Sequence, residues 1–127
     1  VKQYTAADSN ELQAVFTAAC AEVDGFYEPT DNLVAANMEI VKNVTVPAGK
    51  PVITGEQSMA EVGGLATYSI SYYDLGYEAG LMAYEILVNG ADPATMPIYQ
   101  FDTSTLTLYI NEEIASELGI TVPDSLK

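Results

Sequence analysis

The sequence predicts an α/β fold with a mainly parallel sheet flanked by helices. Short apolar segments of strand-forming residues alternate with amphipathic helical segments along the chain, which is the pattern of parallel strands joined by crossover helices. The predicted strands are brief and apolar, as buried parallel strands are; they include Phe26-Tyr27, Pro51–Gly55 and Leu65–Ile70. A chain of 127 residues that is 49% hydrophobic is long enough to form one packed core.

The first predicted elements are a short strand and a capped helix. We expect the strand over Lys2–Thr5. Asp8 and Glu11 form a capping-box pattern, after which apolar residues recur at helical spacing: Leu12, Val15, Phe16 and Ala19. The Asp24-Gly25 pair is expected to end this helix and to lead into the central strand.

The central strand ends in a polar turn. Its strand formers, the Phe26-Tyr27 pair, precede Pro29, which stops the strand because proline has no N–H for a ladder. Asp31 or Asn32 then caps a helix predicted over 33–41. The remaining predicted elements are a loop over 43–51, a strand over 106–110, and a helix over 112–118 that Asn111 caps.

A long helix is predicted after the third strand, beginning near Asp74 and ending at Asn89-Gly90. Gly76 and Gly80 lie one turn apart within it. Glycine costs about 1 kcal/mol in a helix interior relative to alanine. We therefore expect this face of the helix to pack closely against a sheet or another helix.

The charge of the chain excludes several classes of function. The formal net charge is −14, and the basic residues are four lysines, without arginine or histidine. Nucleic-acid binding needs a basic face, and so does attraction to an anionic membrane surface. Without histidine, this chain can form neither a Ser-His-Asp triad nor a histidine metal site. We expect no nucleic-acid partner, no metal site and no cofactor.

Polar residues cluster where three predicted strands end. The clusters are Thr30-Asp31-Asn32, Gly55-Glu56 and the stretch from Ser69 to Asp74. Ligands of open α/β sheets bind beyond the carboxyl ends of the strands, so neighbouring strands would bring these clusters to one crevice. Two carboxylates there suit a ligand with an ammonium group, because charge-assisted hydrogen bonds are about twice as strong as neutral ones.

The acidic members of these clusters also have purely structural interpretations. Asp31 and Asn32 can cap a helix, and Glu56 can favour the first turn of a short helix. The Asp31–Glu56 pair formally suffices for glycoside hydrolysis. Nothing in the spacing selects that reaction, and we expect no catalytic residue and no enzyme.

The aromatic residues of the third cluster offer flat apolar walls for a ring. Strand alternation predicts Tyr68, Ile70 and Tyr72 on one face of the strand, with Ser69 on the other. The tyrosines and the serine therefore cannot both line the ligand, and both Ser69 and Tyr72 stay candidates.

An ordered set of motifs resembles the solute-binding proteins of bacterial ABC transporters, in the family linked to tryptophan and tyrosine uptake. The resemblance runs over essentially the whole chain. The motifs, in order, are Phe26-Tyr-Glu-Pro-Thr-Asp-Asn32, Pro51-Val-Ile-Thr-Gly-Glu56, Gly63-Gly-Leu-Ala-Thr-Tyr-Ser-Ile-Ser-Tyr-Tyr-Asp-Leu-Gly76, Ala83-Tyr-Glu-Ile-Leu-Val-Asn-Gly90 and Asn111-Glu-Glu-Ile-Ala115.

The resemblance implies a two-lobed periplasmic-binding-type fold, of the ribose-binding and repressor type, that closes on a ligand. Residues 1–70 and 102–127 would belong to an incomplete C-terminal lobe, and residues 71–101 to a segment that returns to the N-terminal lobe. The N-terminal half of the family pattern is missing, as is the first strand–helix unit of the second lobe. Such a fragment would expose normally covered faces and invite self-association.

The resemblance also implies which residues face the ligand. Thr30 and Asp31 match the strand-end polar pair, and Glu56 matches the strand-end acid that takes a polar ligand group. Ser69 or Ile70 would lie at the hinge strand, and Asn32 is either a contact or a cap.

The implied function is the solute-binding component of an ABC importer, with a membrane permease as partner. The implied ligand is a small molecule, an amino acid and preferably an aromatic one. The implied location is extracellular or periplasmic, with a lipoprotein anchor supplied by a leader outside this sequence. The alternative is a ligand-sensing domain of the same fold in a receptor or regulator.

Overall fold

The computed structural model describes residues 1–126 and divides them into two compact units. The first unit comprises Val1–Ser69 and the chain from Leu108 onward, and the second comprises Ile70–Thr107. The assignment of chain segments to the two lobes of a larger protein stays a prediction.

Helices and strands alternate through most of the first unit, and the second unit contains one long helix. The helices and strands in chain order are α1 (Ser9–Cys20), β1 (Phe26–Glu28), α2 (Asn32–Ala35), α3 (Met38–Thr45), β2 (Val52–Thr54), α4 (Gln57–Val62), β3 (Ala66–Ser69), α5 (Tyr72–Leu87), β4 (Thr107–Ile110) and α6 (Glu112–Glu117). Single turns of 3-10 helix cover Thr103–Thr105 and Asp124–Leu126.

The sheet has four strands in the order β1-β2-β3-β4. β1 and β2 are parallel, with Phe26 opposite Val52 and Glu28 opposite Thr54. β2 and β3 are also parallel, with Ile53 opposite Ala66. The predicted α/β class with a mainly parallel, helix-flanked sheet is confirmed.

The core of the first unit lies between the sheet and the helices α1 to α4. Apolar side chains at helical spacing on α1 and α3 meet the inward side of β2 and residues of α2 and α4. The rings of Phe16 on α1 and Phe26 on β1 lie 5.3 Å apart. The buried cluster consists of Leu12, Phe16, Val34, Met38, Val41, Val52 and Met59.

Three local predictions at the start of the chain are corrected by the structure. Lys2–Thr5 forms no strand, because a strand needs a neighbour to pair with. The helix predicted over 33–41 is two helices, α2 and α3, because Asn37 donates its side-chain N–H to the Leu33 carbonyl at 2.7 Å and ends the first. The loop predicted to begin at Asn43 begins after Thr45, where α3 ends.

The second unit is dominated by α5, whose N-terminus is capped by the Ser71 hydroxyl. All sixteen residues of α5 are described, and none is buried. A Cβ added at Gly76 or Gly80 would meet nothing within 4 Å in the described chain. The close packing predicted at these glycines is therefore wrong for this chain alone. The described residues contain no helix long and apolar enough to cross a membrane.

Candidate functional site

The carboxyl ends of β1 and β2 meet at close range. The Gly55 N–H donates to the Glu28 carbonyl at 2.8 Å. A Cβ added at Gly55 would lie 2.6 Å from the Thr30 nitrogen and 2.8 Å from its hydroxyl oxygen, so only glycine lets the two segments approach this closely. The first two predicted clusters, around Thr30 and around Glu56, are thus brought together as expected.

Asp31 lies at the end of β1 and caps α2. Its Oδ1 accepts hydrogen bonds from the Leu33 and Val34 amides at 2.8 and 3.0 Å, which satisfies two donors that a helix N-terminus leaves open. Within residues 1–126, no donor contacts its Oδ2. Thr30 and Asn32, the first residue of α2, are exposed on either side. The capping interpretation of Asp31 is confirmed, and one oxygen stays open to solvent.

Glu56 lies at the end of β2 and caps α4, with only 8% of its surface exposed. Its Oε1 accepts from the Met59 amide at 2.9 Å and the Ser58 hydroxyl at 2.6 Å. Its Oε2 accepts from the Ser58 amide at 3.0 Å. The capping interpretation again holds, and Oε2 keeps one lone pair for a further donor.

Glu28 is a third carboxylate at this edge, and the sequence analysis missed it. Its side chain is half-buried at the end of β1, on the same side of the sheet as its partner Thr54. Burial raises the pKa of the Glu28 carboxyl, and the nearby negative charge of Asp31 raises that pKa further. The available signal was an acid in the last strand position, directly before Pro29.

Ser69 and Tyr72 fall on either side of the boundary between the two units. Ser69 is the last residue of β3, and it is buried on the side opposite the exposed Tyr68. The strand ends there, so the predicted alternation does not reach Tyr72, which is the first residue of α5 and is exposed. The predicted shared strand face of Tyr68, Ile70 and Tyr72 is therefore wrong.

The carboxyl ends of β1 and β2 present several oxygen acceptors. Glu28, Asp31 and Glu56 supply carboxylates, and Thr30 supplies a hydroxyl. Such a surface suits a ligand that donates hydrogen bonds from a positively charged group. No group of His, Cys, Asp or Glu side chains within the described part of the chain is arranged to hold a metal ion.

Comparison with known proteins gives a consistent picture. The family model described as ABC transporter substrate binding protein matches residues 1–127. A tyrosine-binding protein of Clostridioides difficile is 33% identical over 112 residues. A crystal structure from Streptococcus pneumonia, of an ABC domain in complex with L-Trp, superposes with a TM-score of 0.88 at 36% identity. A ligand-free, open substrate-binding protein with adhesive properties from Clostridium difficile has a TM-score of 0.69 at 37% identity.

The chain is much shorter than these relatives. It aligns over 88% of its own length with the tyrosine-binding protein but spans only 32% of that protein. The alignment with the L-Trp complex covers 99% of this chain and 42% of the chain in that structure. The alignment with the open Clostridium difficile protein covers 91% of this chain and 38% of that one. Because the family model matches every residue of the sequence, the chain belongs to the family of ABC transporter substrate-binding proteins.

Proposed function

We propose that this chain is the C-terminal part of the solute-binding component of an ABC importer. The proposed ligand is an amino acid, preferably aromatic, held between two lobes. The observation that carries the proposal is the close approach of Thr30 and Gly55 at the carboxyl ends of two adjacent parallel strands, the usual ligand position in such sheets. Asp31 and Glu56 are the residues that directly follow these two. The relatives named for tyrosine binding and solved with L-Trp support the choice of ligand class.

Each candidate residue has a distinct proposed role. Asp31 offers the ligand ammonium its open Oδ2, and Glu56 offers the remaining lone pair on Oε2. Thr30, Asn32 and Ser69 orient the ligand through hydrogen bonds, and Tyr72 gives its ring a flat wall.

Glu28 adds negative charge to the same edge. An ammonium group next to the half-buried Glu28 would favour the ionised carboxylate that burial disfavours. Ligand binding would then lower the raised pKa of Glu28 and release a proton where the carboxyl is partly protonated.

The proposal extends to the complete protein. Residues 1–70 and 102–127 would form the C-terminal lobe, and residues 71–101 would return to an N-terminal lobe supplied by a longer polypeptide. Closure of the lobes around the ligand would be recognised by a membrane permease. The protein would work outside the cytoplasmic membrane, anchored as a lipoprotein.

Asp31→Asn in the full-length polypeptide tests the proposed site. Asparagine caps helices as well as aspartate does, so the fold is expected to keep its stability. The affinity for L-tryptophan or L-tyrosine, measured by calorimetry, is expected to fall about tenfold or more, or about 1.4 kcal/mol. Asp8→Asn is the matched control, because Asp8 caps α1 with the same pattern of bonds away from the site. Equal affinity of the two variants would contradict the proposal.

A further inference from the structure

Thr54 is a buried polar residue to which the proposed site gives no role. It is the last residue of β2, and its side chain is only 2% exposed. Its hydroxyl donates a hydrogen bond to the backbone carbonyl of Glu56 at 3.0 Å. A buried hydroxyl without a partner is costly, so this bond is the favourable state of the side chain. It ties the end of β2 to the backbone of a proposed ligand acceptor.

The packing around Thr54 fixes the direction of its hydroxyl. A Cβ added at Gly64 would lie 2.5 Å from the Thr54 methyl carbon and 3.0 Å from the Ala60 Cα, so the methyl group packs directly against the backbone of Gly64. β-branched side chains have few favourable χ1 rotamers. A methyl group held against Gly64 therefore keeps the hydroxyl on the side of the Glu56 carbonyl.

Hydrogen bonds hold Glu56 both at its backbone and at its carboxylate. Thr54 donates to its carbonyl, while Ser58 and Met59 donate to its carboxylate through two amides and one hydroxyl. Glutamate is not among the residue types that helix caps prefer, so capping alone does not account for a glutamate here. Its side chain has one more rotatable bond than aspartate, so its position depends strongly on the groups that hold it.

We infer that Thr54 is a positioning residue for the ligand site: its hydroxyl fixes the backbone at Glu56, so that the Glu56 carboxylate is ordered before the ligand arrives. Groups that are ordered in advance increase affinity, because less conformational entropy is lost on binding. The inference rests on the proposed role of Glu56 as an acceptor for the ligand ammonium. Thr54 is itself buried, and it acts on the ligand through Glu56.

Thr67 provides a matched control on the neighbouring strand, β3. Ile53 is opposite Ala66 in the register, so the residues that follow them, Thr54 and Thr67, are neighbours on the buried side of the sheet. Thr67 is 1% exposed, and its hydroxyl has no hydrogen-bond partner among the described residues. The same substitution therefore removes a bonded hydroxyl at one position and an unbonded hydroxyl at the other.

Valine at each of these positions in the full-length polypeptide tests the inference, because valine keeps the methyl group of threonine and lacks the hydroxyl. The affinity for L-tryptophan is measured by calorimetry. Thr54→Val is expected to weaken it about threefold to tenfold, the loss expected when one hydrogen bond is removed. Thr67→Val is expected to leave it unchanged. Thr54→Ser keeps the hydroxyl and is expected to keep the affinity, although loss of the buried methyl group lowers its melting temperature.

Two results would overturn the inference. One is equal affinity of Thr54→Val and Thr67→Val. The other is a loss of affinity in Thr54→Ser of threefold or more, because packing rather than the hydroxyl would then be responsible. The second result decides the question even if Thr54→Val does not fold.

Glu56→Gln separates this inference from the proposed function. A loss of affinity in Glu56→Gln without a loss in Thr54→Val would contradict only the positioning role of Thr54. Unchanged affinity in Glu56→Gln would contradict the proposed role of Glu56 itself, and the positioning role with it.

Discussion

The two units of this chain use similar apolar side chains in opposite ways. The first unit buries Leu12, Met38 and Met59 in one continuous cluster between helices and sheet. The second unit contains the longest helix, α5, and exposes Tyr77, Leu87 and other large side chains along it. Both units thus contain helices with large apolar side chains. Among the described residues, only the first unit buries such side chains.

This difference shows that an amphipathic pattern specifies a helix but not its partner. Most helical stability in proteins comes from packing of the apolar face rather than from intrinsic propensity. The face of α5 is apolar enough to demand a partner, and the described chain does not supply one.

Substitution of a buried leucine gives the largest expected effect, and an exposed leucine is its matched control. Leu12→Ala removes a side chain that is 1% exposed in the core and is expected to lower the free energy of unfolding by about 2–5 kcal/mol. Leu87→Ala removes one that is 82% exposed on α5 and is expected to cost less than about 0.5 kcal/mol. Urea unfolding of the chain measures both, and similar losses would contradict the contrast.

Substitution of two glycines by alanine is expected to change the free energy of unfolding in opposite directions. Gly55→Ala places a Cβ against the Thr30 backbone and is expected to destabilise the chain by about 1–3 kcal/mol. Gly76→Ala meets open space and is expected to stabilise by up to about 1 kcal/mol, through helix propensity. If Gly76→Ala becomes destabilising in the full-length polypeptide, the missing partner of α5 is found there. Stabilisation by Gly55→Ala would refute the close approach of β1 and β2.

Two helix caps extend the comparison to hydrogen bonds. Glu56→Ala removes the carboxylate that accepts three bonds at the start of α4, and a loss of about 1–2 kcal/mol is expected. Ser71→Ala removes a hydroxyl that accepts one bond at the start of α5, and a loss of about 0.5–1 kcal/mol is expected. Thermal unfolding of each variant measures these losses of stability. A larger loss for Ser71→Ala than for Glu56→Ala would contradict the expectation.

Glu28→Gln gives the smallest expected effect, and it depends on pH. Because the folded state raises the pKa of Glu28, ionising this carboxyl costs stability once the pH exceeds the ordinary glutamate pKa. Glu28→Gln is expected to stabilise the chain at neutral pH, by less than about 1 kcal/mol after solvent screening. The gain should vanish in acid, where Glu28 is protonated in both states.

Unfolding at neutral pH and below the ordinary carboxyl pKa checks this dependence. Glu39→Gln, at an exposed position of α3, is the control and is expected to give no gain. A gain from Glu28→Gln that persists unchanged in acid would exclude the ionisation as its cause.

The sequence predicts this fold well where a local signal and tertiary packing agree. The cap at Asp8 and the apolar spacing after it place α1, and Pro29 marks the end of β1. The first two polar clusters lie close together, as predicted, because β1 and β2 are parallel neighbours in the sheet. Both acids of the predicted site turned out to be helix caps as well, an alternative that residue type alone could not separate from ligand binding.

The predictions that were wrong or incomplete concern features that composition and periodicity alone do not reveal. Lys2–Thr5 has strand composition, but it pairs with none of the four strands of the described residues. Asn37 interrupts a helical pattern through a side-chain bond to Leu33 that periodicity does not reveal. Glu28 was overlooked because its relevance comes from partial burial next to Asp31, which depends on the folded arrangement.

The fluorescence of bound L-tryptophan tests the central claim most directly, because this chain contains no tryptophan of its own. The full-length polypeptide, with any tryptophan upstream replaced by phenylalanine, would be titrated with the free amino acid. We expect a saturable blue shift of the indole emission that L-tyrosine reverses and that Asp31→Asn weakens. An unshifted emission from a protein shown to be folded would contradict the proposed aromatic amino acid site.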